Sequence, residues 1–153
     1  MKELAGELTK ILEEITSLLN QYLPLEEEKL KAIQENKVGF VEDSMKKEQA
    51  LILKMRGLDG KREELLKKAG CTGKTMREIL EELEENEKRQ VQPVFDRLVL
   101  AVQNFDSYNA ESMKLIQLRL HDMEKAAAES QGKTYGKGKE SDPDSEHFLS
   151  RLL

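Results

Sequence analysis

The residues whose types could do chemistry are few: His121, His147, the single cysteine Cys71, and the consecutive Gly73, Lys74 and Thr75. Nucleophilic catalysis needs a base poised beside a nucleophile, and a metal-binding helix usually presents two histidines one turn apart. His121 is followed by Asp122 and Glu124, but neighbouring helical positions project to different sides, and no second histidine falls four residues away. A solvated histidine is the plainer reading. The Gly-Lys-Thr run echoes a phosphate-binding loop, yet that motif needs a glycine where Lys68 stands and a strand before it. A helix stop and restart accounts for it better. One cysteine cannot form an intrachain disulfide and argues against a thiolate metal site. The sequence therefore predicts no enzyme, no cofactor and no metal.

If chemistry is absent, surface must do the work. The 153 residues are 38% hydrophobic, 36% charged and only 5% aromatic, with no tryptophan, so apolar surface is available as thin Leu, Ile, Met and Val stripes. That composition favours long amphipathic helices over a thick core. The net charge of −5 opposes nonspecific binding to nucleic acid or anionic membrane, and no apolar run approaches the roughly 20 residues of a membrane span. The expected protein is cytoplasmic, with no membrane insertion.

The predicted fold is all-α: an elongated antiparallel helical hairpin or bundle with coiled-coil-like packing, a long C-terminal helix and a flexible tail. Residues 1–130 are expected to form one domain, with helices over about 2–36, 40–69, 75–83 and 91–130. Leu4, Leu8, Ile11, Ile15, Leu18, Tyr22 and Leu25 make a heptad seam; Pro24 interrupts it, and Leu30 and Ile33 follow one step out of register, so a kink or break is expected there. Val41, Met45, Leu51, Met55, Leu58, Leu65 and Ala69 mark the second helix, with Arg62 on its seam as a structural ion-pair partner and Gly57 and Gly60 as weak points.

After Gly70, Thr75 and Glu78 form a capping box that opens a short elbow, a lid rather than a core element, carrying Met76, Ile79, Leu80 and Leu83. Residues 84–87 read as linker or a separate turn, and Pro93 suggests that the long helix begins near Gln92. From Val91 the heptads run through Phe95, Leu98, Val102 and Phe105 to Ile116, Leu120 and Met123, interrupted by Asn109 and Ser112. Polar residues on a seam fix register or partner choice, and Asn109 is expected to bond across the hairpin. The methionines read either as core or as an adaptable surface for a partner helix.

Residues 131–153 read as a tail, with a short helix over about 143–152. Asp142 and Pro143 supply a start, and Phe148, Leu149, Leu152 and Leu153 share one face. Four large apolar side chains on such an end call for something to dock on.

The order of a heptad hairpin, a short elbow, a long helix with a polar step and a Tyr-Gly tail resembles the FlgN family of flagellar type III export chaperones. The likeness rests most on Asp106 to Leu120, DSYNAESMKLIQLRL, and on Thr134 to Gly138, TYGKG. The family's Asn-x-x-Asn step is Asp106-x-x-Asn109 here, and Gly138 arrives one residue early for its Tyr-Gly-x-x-Gly tail. The resemblance implies a cytosolic chaperone that binds C-terminal helical segments of hook-filament junction (hook-associated) proteins and delivers them to the flagellar export gate. It implies client contacts at Asn109, Met113, Ile116, Leu120 and Met123, and export-gate contact at Tyr135. Tyr135 can equally be read as an unengaged tyrosine in a tail. Independently of the resemblance, Phe148, Leu149, Leu152 and Leu153 are expected to act as a latch over the client surface while no client is bound, in cis or in trans. The competing readings are a structural coiled-coil scaffold whose heptads bind identical copies, and a helical adaptor of another secretion system; a weak homodimer is compatible with the chaperone.

Overall fold

The computed structural model describes residues 2–131, with side chains from Glu3 to Ser130. They form α1 (Lys2–Gln34), α2 (Val38–Lys68), α3 (Met76–Glu82) and α4 (Glu85–Gln131), with no strand among the described residues. Tyr135 and the apolar cluster from Phe148 to Leu153 lie outside them.

The all-α architecture predicted from the seams is present, and α1 is its centre, packing against both α2 and α4. The turn between α1 and α2 reverses the chain. Asn36 takes a left-handed φ of 59°, the N–H of Asn36 bonds to Ile33 O, and that of Lys37 bonds back to Ala32 O. This closes the helix with the paired bonds that a left-handed C-terminal residue permits. Gly70, with φ 75°, repeats the arrangement at the end of α2. Lys54 donates to the Tyr22 hydroxyl, so α1 and α2 run antiparallel. Arg97 lies near Glu13, Tyr108 donates to Glu27 and Arg119 donates to Gln34 O, so α4 returns parallel to α1.

Of the kink or break expected at Pro24, the break does not occur: helix α1 runs through the proline. The proline and Asn20, whose carbonyl loses its helical donor, are both exposed, and water can satisfy that carbonyl. The apparent slip in register also disappears. Among its buried positions Leu8, Leu12, Ile15, Leu19, Glu26, Lys29 and Ile33 keep heptad spacing once the two charged residues are included, by steps of three and four with one of seven between Leu19 and Glu26. Ile11, Leu18 and Tyr22 form a second, half-buried edge against the core, because a helix between two neighbours needs a wider face than one seam supplies.

Helix α4 starts at Glu85, six residues before the expected Val91, and Pro93 falls inside it, exposed beside solvent-facing turns. Residues 85–87 are its first turn rather than a linker. Glu87 is buried there, an acidic side chain at the positive end of a helix dipole. At about 1.5 Å per residue the 47 residues of α4 extend about 70 Å. Helix α3 is likewise more than an elbow. The Thr75 hydroxyl accepts the Glu78 N–H as the capping box predicts, and Met76, Ile79, Leu80 and Leu83 are all buried in the main core with Cys71, sealing that end of the rod.

Arg62 is buried on α2 and paired with Asp59 one turn earlier, at 2.8 Å from both Nε and Nη2. The glycines of α2 do not break it, and an added Cβ at Gly57 or Gly60 would meet nothing within 4 Å. Replacing either with alanine should raise stability by about 0.5–1 kcal/mol, read as a higher midpoint in thermal or urea unfolding.

Candidate functional site

The main core runs from the α3 end to about Leu19, Leu51 and Phe105, and there the bundle changes character. The next layer is polar. Lys29 of α1, only 2% exposed, places its ammonium 3.0 Å from Glu26 Oε2, 2.5 Å from Glu48 Oε1 of α2 and 3.2 Å from Asn109 Oδ1 of α4. Ser112 is fully buried one turn after Asn109, and its hydroxyl has no hydrogen-bond partner. One ammonium thus ties together three helices. The bond expected of Asn109 across the bundle is present, with Lys29 as its donor.

Two carboxylates share that one cation, and Glu26 has no exposed surface. Lys29 reaches Glu26 through Oε2, as an ion pair one turn apart on α1. Burial, followed by the neighbouring Glu48, pushes the Glu26 carboxyl up to about 8, against the smaller pull of Lys29. A protonated Glu26 leaves the layer with one positive and one negative charge, the cheapest state for a dry site.

Beyond this layer the helices enclose less. From Met113 to Ser130 no residue of α4 is buried, and Val38 and Phe40, at the start of α2, are exposed. An apolar trough opens between Ala32 and Ile33 of α1, Val38 and Val41 of α2, and Ile116, Leu120 and Met123 of α4. Val38 and Met123 are each 67% exposed along it. Arg119 also lines the trough; one guanidinium nitrogen donates to Gln34 O at 2.9 Å, while its Nε is buried without a partner.

The residues singled out on α4 therefore divide. Ile116, Leu120 and Met123 come together in the trough, Asn109 sits in the polar layer, and Met113 lies half-buried between the two. Sequence reasoning missed Glu26, Lys29 and Glu48, although charged residues at the heptad positions 26 and 29 were the available signal. His121 and Asp122 are both exposed, and among the described residues no three His, Cys, Asp or Glu side chains gather as a metal group. Lys74, in the loop that echoes a phosphate site, pairs with Glu82 at 2.6 Å. No helix among the described residues is long and apolar enough to cross a membrane.

The polar layer sets a pH dependence. Because the folded carboxyl of Glu26 titrates near 8 and an ordinary glutamate near 4.5, the folded state retains a proton that the unfolded chain has released between those values. Stability from this group is therefore highest below about 4.5 and falls as pH rises through about 8. Glu26→Gln should flatten the change in melting temperature across that window. Lys29→Ala strands the Glu48 carboxylate beside the neutral Glu26 carboxyl and should cost about 3–5 kcal/mol at neutral pH, measured by urea unfolding.

Comparison with known proteins adds the family. No curated protein and no solved structure matched the chain. A family model described as FlgN protein matches residues 1–142, a span that takes in all four helices, the polar layer and the trough. On that match the chain belongs to the FlgN family, whose members are flagellar type III export chaperones.

Proposed function

We propose that this protein works in the cytosol as a chaperone for hook-associated junction proteins, holding their C-terminal helical segments in the trough and delivering them to the flagellar export gate. The observation that carries this reading is the trough itself: an apolar strip with contributions from three helices, open where a bundle of this length would ordinarily close. An amphipathic client helix laid along Ile116, Leu120 and Met123 covers its own apolar stripe and theirs. Asn109 acts on the client surface through its bond to Lys29, which holds α4 at the mouth of the trough, and Met113 supplies an adaptable contact at the near end. No turnover, cofactor or metal enters this mechanism.

Tyr135 belongs to the same proposal as the export-gate contact. It stands between Thr134 and Gly136, where a ring can insert with little backbone hindrance. Separating the two contacts in one chain lets the client and the gate be held at once.

Two measurements test the reading. Calorimetry with a synthetic C-terminal segment of a hook-filament junction protein should show a one-to-one complex, weakened at least about tenfold by Met123→Glu and by Leu120→Glu, or roughly 1.4 kcal/mol. Wild-type affinity in both variants, with unchanged helicity, sinks the trough as the client site. Tyr135→Ala should retain the client and lose the export gate in a pull-down of both. In sedimentation velocity, a concentration-independent oligomer that ignores the client segment supports the scaffold reading instead.

A further inference from the structure

The chain carries its own candidate for the trough. Helix α4 runs eight residues past Met123 to Gln131, about 12 Å at ~1.5 Å per residue, and 22 further residues follow. Within them Phe148, Leu149, Leu152 and Leu153 are spaced to form one stripe on a helix, preceded by Asp142, Asp144 and Glu146. The trough offers the complement: an apolar floor and, at its rim, Arg119 with an unpartnered Nε.

The distances agree. From Gln131 to Phe148 is 17 residues, for which a random coil spans about 21–25 Å. Measured back along α4, Gln131 lies about 12 Å from Met123 and about 22 Å from Ile116. A tether whose mean span matches the gap gives the highest local concentration, in the millimolar range for short linkers. A contact too weak to hold a free peptide is then populated within one chain.

We propose that residues 143–153 fold back in cis as an amphipathic helix into the trough and are displaced by the client. This rests on the trough being the client site. The segment masks the strip while no client is bound, and its release frees the rest of the tail, Tyr135 included, at the moment of loading. The acidic residues before the stripe meet Arg119 at the rim and set the direction in which the helix lies.

The absence of tryptophan from the sequence makes the test direct: Phe148→Trp in the full chain provides a single indole. Its emission should be shifted to the blue, independent of protein concentration, and should move to the red on adding Ile116→Glu or Met123→Glu, or on adding the junction-protein segment. An indole already in water and indifferent to those substitutions overturns the proposal, as does a blue shift that vanishes on dilution, which marks a contact between copies. In calorimetry, Phe148→Asp with Leu152→Asp should tighten binding of the junction segment about threefold to tenfold, because a masked site lowers apparent affinity by its open fraction. Unchanged affinity overturns the latch and leaves the client reading standing. If the segment binds neither chain, the client reading fails, while the indole still reports whether the trough is covered.

Discussion

Burying a lysine where three helices meet is costly unless its charge is answered on every side, and Lys29 is answered by a carboxylate from its own helix, one from α2 and an amide from α4. Apolar side chains slide past one another with little change in energy, whereas a buried ammonium has one position in which all its partners are met. The layer therefore fixes the axial register of α2 and α4 against α1. It also divides the rod, with dense aliphatic packing and the sealed α3 end on one side and the open trough on the other.

Under the proposed reading of the trough as a client site, that division has a purpose. A surface that receives a foreign helix cannot also be a finished core, because side chains packed to interior density leave no room. The stable half supplies the folding free energy, and the polar layer isolates it from whatever enters or leaves the trough. Displacing a helix from the open end need not disturb Leu98 or Val102, which lie on the far side of Asn109.

Much of this was legible in the residues. Heptad spacing gave the helices, Thr75 and Glu78 gave the start of α3, and the polar step at Asn109 gave a contact across the bundle. The misses share one cause: each local signal was read without the neighbour that overrides it. Pro24 and Pro93 looked disruptive because proline in isolation favours a break, but their exposed faces let solvent take the orphaned carbonyls. Glu26 and Lys29 drew no expectation because charge is usually solvated; only the meeting of three helices makes them interior. The small apolar set of α3 looked too slight to be core because the sequence does not show what it closes against. The trough was inferred as a free strip on α4, while its other walls, from Ala32 to Val41, come from the turn joining α1 and α2.

Past Met123, α4 continues for eight residues beyond the last side chain that lines the trough. A helical extension of about two turns is too short to be stable alone in water and holds its shape only as a continuation of what precedes it. Amide exchange along this helix should thus form a gradient, slowest beside the sealed end and fastest towards Gln131. The far end of the rod is in this sense a fuse, whose degree of winding registers how firmly the segment before it is clamped.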